Sequence, residues 1–249
     1  MLQGLYAAAS GMEAQQNQFD ALSNDLANLN TPGYQATEVG FQDLLYSTAG
    51  PAASGTNVPT GTGAAAWIVG RSQAQGSLQN TGDPFDVAIQ GEGFLQVRRP
   101  DGSTALTRNG SLEVNASGEL TDQMGNPVLG AGGQPIRLPQ GFDSREMKIL
   151  PDGEVLAGTQ SVGRIQIVSV PAPDQLVPDG DSLFSVTAGS GAARPVAGST
   201  LQQGMLEGSN VDVGAVMSEL VASERTYQLS SQAVQYQDQM LQIADQLRK

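Results

Sequence analysis

Few side chains in this sequence could move protons, attack an electrophile or hold a metal. It contains neither histidine nor cysteine. Nucleophilic sites of the Ser-His-Asp and Cys-His kinds are therefore excluded, as are zinc sites built on imidazole or thiolate. Carboxylates, tyrosines and the lysines Lys148 and Lys249 remain for acid–base work. Asp83, Asp86 and Glu92 lie near one another, and a carboxylate pair is what glycoside hydrolysis needs. But Asp83 precedes Pro84 in a turn, and Asp86 sits among alternating apolar residues. Both read as turn-forming or solvated groups. Gly91-Glu92-Gly93 lacks the Lys and Ser/Thr of a phosphate loop and the third glycine of a dinucleotide fingerprint, so it reads as a tight turn. Asp101, Asp152 and Asp179 each precede glycine. A calcium loop would need further acidic residues at alternating positions, so these are assigned to hairpin turns. No catalytic, cofactor-binding or metal-ligating residue is assigned, and no cofactor is expected.

The elements that would have to position such groups point away from an enzyme. The chain has 249 residues, 39% hydrophobic, with 31 glycines and 13 prolines. That is foldable but loop-rich. Its net charge of −13 leaves no basic footprint for nucleic acid and disfavours an anionic membrane surface. The first basic side chain is Arg71, so the start lacks the positive region of a secretory signal. No apolar run reaches the ~18 residues of a membrane span. The expectation is a protein that stays in the cytosol or is exported without a cleaved signal, and is not membrane-inserted.

The first residues read as a helix up to about Leu29. Leu5, Met12, Phe19 and Leu26 repeat every seven residues, and so do Ala8, Gln15, Leu22 and Leu29. These are the two tracks of a heptad seam. Thr31-Pro32-Gly33 then stops the helix. A second apolar piece runs from Val39 to Tyr46. Residues 47–66 are almost wholly small and polar and read as a flexible linker or insertion. From 67 to 205 short apolar stretches alternate with turn signals, as in an all-β domain. Trp67 is expected to be buried there. Residues 211–249 return to helix, with Val213, Leu220, Tyr227, Val234 and Leu241 at seven-residue spacing and Asn210 or Ser209 as its cap. Such a helix would be about 58 Å long, beyond the ordinary globular range.

The sequence thus predicts an α+β fold. Long N- and C-terminal helices form a coiled-coil-like pair, with a central all-β domain. The expected divisions are 1–46, helix and turn; 47–66, linker; 67–205, β-rich; and 206–249, helix. Narrow apolar stripes pack against other narrow stripes. Their partner is the other terminal helix, a neighbouring subunit, or both. Asn24 and Asn28 border the seam and could bond neighbouring copies or simply cap and solvate the helix.

At these positions the chain resembles a known family. Ser23-Asn24-Asp25-Leu26-Ala27-Asn28-Leu29-Asn30-Thr31-Pro32-Gly33-Tyr34 resembles the N-terminal signature of flagellar rod and hook proteins. Phe41-Gln42-Asp43-Leu44-Leu45-Tyr46 is similar to the block that follows in the rod subgroup. Gly76 to Val97, with Asp86-Val87-Ala88-Ile89 and Gly91-Glu92-Gly93-Phe94, resembles the family's opening β segment. Thr107-Arg108-Asn109-Gly110 and Leu206-Glu207-Gly208-Ser209-Asn210-Val211 match its next and last blocks. The matches run in order over nearly the whole chain. The resemblance implies a structural subunit of the bacterial flagellar basal-body rod, in the cell envelope. Its terminal helices would form the inner tube, with the β domain outside. It would pass through the type III export apparatus without a cleaved signal. Its partners would be copies of itself, neighbouring rod and hook proteins, and the basal-body rings. Within the family the start resembles the distal-rod protein, whereas the length and the region from Asp179 to Phe184 also resemble the proximal-rod relative. A cell-wall hydrolase and a coiled-coil adhesin are the alternatives outside the family.

Both ends are acidic. Glu13, Asp20, Asp25, Glu38 and Asp43 have no basic partner in residues 1–46, and Asp212, Glu219, Glu224, Asp238 and Asp245 outnumber Arg225, Arg248 and Lys249. Added salt should therefore strengthen assembly by screening like charges. Sedimentation across a salt series checks this; weaker assembly at moderate salt would contradict it.

Overall fold

The computed structural model describes residues 2–44, 46–47, 60–61, 63–139, 146–196 and 198–247. Most of the expected linker, residues 48–59 and 62, lies outside the described residues. The chain forms two units. One comprises Met1–Ala27, Thr37–Val69 and Asp212–Lys249, the other Asn28–Ala36 and Gly70–Val211.

The first unit is built on two long helices. Helix α1 spans Leu2–Ala27, 26 residues rich in Ala, Leu and Gln, which have high helix propensity or lose little rotamer freedom in a helix. Helix α2 spans Val213–Leu247. Its 35 residues make it about 52 Å long. The cap of α2 is Asp212, whose Oδ1 accepts the Gly214 and Ala215 N–H groups at 2.8 and 3.1 Å. The expected caps, Asn210 and Ser209, lie upstream. Asp212 sits directly before the first helical residue, where a short carboxylate reaches the open N–H groups. The Val39–Tyr46 piece begins inside a strand, Thr37–Asp43, which pairs with Ala64–Arg71. The short strands Tyr46–Ser47 and Thr60–Gly61 pair beside it. Both oxygens of the buried Asp25 carboxylate accept the Thr37 N–H at 3.1 Å, which ties the end of α1 to the start of this ribbon. Trp67 is 46% exposed, against the burial expected for it. A two-stranded ribbon has no second layer to enclose an indole ring.

The second unit holds most of the β structure. Its four-stranded antiparallel sheet joins Val177–Pro178, Leu183–Ser185, Thr104–Thr107 and Leu95–Arg98 in that spatial order. Side chains alternate across a strand, and this sheet buries both faces. Leu95, Val97, Ala105 and Leu183 enter a large core with Val87, Ile89, Leu120, Val128, Val155, Ile165 and Leu201. Phe94, Leu106 and Phe184 enter a smaller one with Val168, Val170 and Leu176. There Phe94 and Phe184 meet edge to face, with centroids 5.7 Å apart, a favoured aromatic geometry. The adjacent apolar pairs Phe94-Leu95 and Leu183-Phe184 thus serve two cores from one strand each. Val87–Gln90 pairs with Thr200–Gln203, and Leu78–Asn80 with Met205–Glu207. Met147–Ile149, Glu154–Ala157 and Gln160–Arg164 form a meander. The apolar stretch from Ile165 to Val170 is not one continuous strand. Ile165 makes an isolated bridge to Gly130, and only Val168–Ser169 forms a strand, against Arg194–Pro195.

Leu95 has no exposed surface and sits where the sheet meets the large core. Leu95→Ala should lower the unfolding free energy by about 2–5 kcal/mol, read from the denaturant midpoint of the β-rich unit. A loss well under 1 kcal/mol would contradict the packing described.

Candidate functional site

The helices α1 and α2 offer the surfaces that could hold a partner. Ser223 Oγ lies 3.0 Å from Gln15 Oε1 and 3.2 Å from the Gln15 carbonyl. Toward the other end, Gly4 faces the Gln237 side chain so closely that a methyl group on Gly4 would collide with the amide. Position 15 meets 223 and position 4 meets 237, so the helices run antiparallel. Among the described residues, the buried groups of this unit's helices are Ala14, Leu22, Asp25, Val216 and Ser223, of which Leu22 and Val216 are sizeable and apolar. Gln237 Oε1 is buried without a hydrogen-bond partner among the described residues, which costs free energy in any packed interface. A groove of about 250 Å³ opens between the helices, lined by Gln15, Gln16, Phe19, Ser223, Glu224 and Tyr227.

The residues read from the heptads fall in several environments. Leu22 is buried, and Leu5, Met12 and Leu26 are half-buried. Phe19 and Tyr227, 38% and 42% exposed, flank the groove instead of filling the seam. Leu220 and Val234 are half-buried and Val213 is exposed. The Leu241 side chain lies outside the described residues. Asn24 is exposed on α1. Asn28 and Leu29 belong to the turn of the other unit, where Asn28 Oδ1 accepts the Thr31 hydroxyl at 3.1 Å.

Sequence reading missed a second stripe on α2. Leu229, Tyr236, Met240 and Ile243 are each at least 55% exposed. With Ala222, Thr226 and Ala233, also exposed, they are spaced by alternating steps of four and three. That is a second a/d seam, on a different helix face from Val216 and Ser223. The signal was present in the spacing, but Ala and Thr at alternate positions diluted it.

The carboxylates and glycines weighed for chemistry hold turns. Asp83 Oδ1 accepts the Phe85 N–H, and Asp152 Oδ1 accepts the Glu154 N–H. Hydrogen bonds from the Ser103 hydroxyl and N–H hold the Asp101 carboxyl below its ordinary pKa. Asp179 is lowered likewise by the Ser185 hydroxyl and by its ion pair with Arg99. The Gly91–Gly93 turn aims carbonyls, not N–H groups, at its neighbour: Gly91 O and Gly93 O accept from Arg108 at 2.8 Å. A phosphate needs donors, so this turn cannot cradle one.

Comparison with known proteins agrees with this layout. Residues 5–35 match the family described as flagella basal body rod protein. Residues 88–157 match the flagellar hook protein FlgE/F/G D1 domain, and residues 202–247 the C-terminal family of flagellar basal body rod FlgEFG proteins. The flagellar basal-body rod protein FlgG of Caulobacter vibrioides is 38% identical over 99% of this chain and 100% of its own length. FlgG of Borreliella burgdorferi is 35% identical over the full length of both chains. The chain belongs to the flagellar basal-body rod protein family. It is a structural subunit of the flagellar basal body and assembles with other components of that structure. Two of the rod-family matches fall on α1 with its following turn and on α2. The third covers much of the large core.

The orphaned Gln237 carbonyl makes the helix pair of this rod subunit weaker than its length suggests. Gln237→Met should therefore raise the stability of the pair by about 1 kcal/mol, seen as a higher helical melting midpoint of the free chain in circular dichroism. A lower midpoint would show that the amide has a partner in solution.

Proposed function

We propose that this rod-family chain polymerises with copies of itself into a helical tube, through the outward seam of α2. The exposed series Leu229, Ala233, Tyr236, Met240 and Ile243 carries the reading. Fully burying a side chain of this class is worth about 1.5–3 kcal/mol, so covering what is exposed here gains about 1 kcal/mol or more for each large residue. One like-charge pair opposes it by only about 1 kcal/mol at 4 Å in water. Apolar burial therefore wins, even between acidic helices. A contact between two different helix faces is heterologous, and such a contact that does not close generates a helical filament. Phe19 and Tyr227, at the rim of the groove, are placed to receive a neighbour's side chain. Export through the type III apparatus, contact with the rings and hook, and the absence of catalysis belong to the same reading. The lack of His and Cys supports the last.

The distal rod is the favoured position, supported by the full-length relatives named FlgG. A proximal-rod role is the second reading. It is favoured by the 34% identity to the basal-body rod protein FlgF of Escherichia coli, over 98% of this chain.

Deleting residues 1–30 or 220–249 should abolish polymerisation. So should the pair Leu229→Glu and Tyr236→Glu, with far-ultraviolet circular dichroism of the free chain unchanged. Electron microscopy after seeded assembly reads the outcome, and tubes formed by any of these variants would overturn the proposal.

A further inference from the structure

The β-rich unit receives and releases the chain through three segments: Asn28–Ala36, the stretch beginning at Gly70, and the stretch ending at Val211. Within this unit all three are tied together by two hubs, one buried and one half-buried. The first is Glu207. Its carbonyl accepts the Gly33 N–H at 2.8 Å. Its Oε1 accepts the Gly76 N–H at 3.0 Å, and its Oε2 pairs with Arg108 Nε at 2.9 Å. The Arg108 and Glu207 side chains are 3% and 4% exposed. Gly33 lies flat on the Arg108–Asn109 peptide at φ +65, where a Cβ would stand 2.5 Å from the backbone. The second hub is Asn210. Its N–H donates to Tyr34 O at 3.2 Å, and its Oδ1 accepts the Ala36 N–H at 2.7 Å. Its Nδ2 donates to Ser72 O at 3.0 Å and Ala74 O at 2.9 Å.

We propose that Asn210 and the Arg108–Glu207 pair are positioning residues that fix the spacing of these segments and so set the torsional stiffness of the subunit. The proposal rests on the rod reading. Any twist carried along the covalent chain into this unit must pass through one of the three segments. The side chains match the task by type. Asn210 uses an acceptor and two donors at once; Asp would turn both donors into acceptors facing carbonyls. Arg108 addresses one carboxylate and two carbonyls with a rigid planar fork, which a lysine cannot reproduce. A buried ion pair is a weak source of stability compared with apolar packing, so geometric specificity accounts better for its presence beside a core already filled with Leu, Ile and Val.

Hydrogen exchange on the full chain separates positioning from plain stability. In Asn210→Ala, the amides of 28–36 and 70–76 should exchange about tenfold faster, while Val87–Gln90 keeps its protection. Arg108→Lys serves as a second variant should Asn210→Ala fail to fold. The chain has no cysteine, so spin labels at Asn30→Cys and Met124→Cys can report the same event as a broadened distance distribution. Cells carrying the variant should build rods yet lose swimming speed in viscous medium. Equal acceleration of exchange in all strands, or an unchanged distance distribution, overturns the clamp. So does normal swimming at high load. Exchange is measured on the free chain, so a clamp that opens as expected in a chain that never forms rods would sink the rod reading alone.

Discussion

The contact between α1 and α2 limits everything else, because it is long and poorly filled. It brings together residues from the two ends of the chain, with Gln15 meeting Ser223 and Gly4 meeting Gln237. Among the described residues, Leu22 and Val216 are the sizeable apolar groups that the two helices bury, beside Ala14 and Ser223. Polar layers of this kind fix register at a cost in stability. The apolar stripe on another face of this 35-residue helix is exposed in the single chain, and in the proposed tube a neighbour would cover it.

The β-rich unit is built on the opposite plan. One sheet separates two apolar cores, and its strands place neighbouring residues on opposite sides without strain. Its polar hubs are nearly saturated, with Asn210 and Arg108 each serving several carbonyls or carboxylates. Packing on this scale holds a unit together without help from neighbours. A well-packed β unit beside helices with an exposed apolar stripe suits the assembly proposed above.

Much of this was legible in the sequence, for identifiable reasons. Both helices appeared because period seven survives even when the residues at it are Gln or Ser. The hairpins appeared because Asp-Gly pairs favour turns, as at Asp101 and Asp152. Other features depended on tertiary context. Asn210 looked like a helix cap, yet its amide is taken up by Ala36, Ser72 and Ala74, far away in sequence. Trp67 looked like a core anchor, but its strand has a single partner. The second stripe on α2 was hidden because small residues alternate with Tyr, Met and Leu, and only exposure distinguishes an unsatisfied face from a buried one. Arg108 and Glu207, 99 residues apart, gave no local sign of pairing.

Chemical accessibility of one position in assembled rods tests the assembly seam most directly. A cysteine at Tyr236→Cys would be the only thiol in the chain. It should react readily with a water-soluble maleimide in the free subunit and become protected in intact rods, while Gln228→Cys, exposed and off the stripe, serves as the reference. Equal reactivity of position 236 in the two states would mean that the stripe faces water in the polymer, and the helices would then have to join by some other surface.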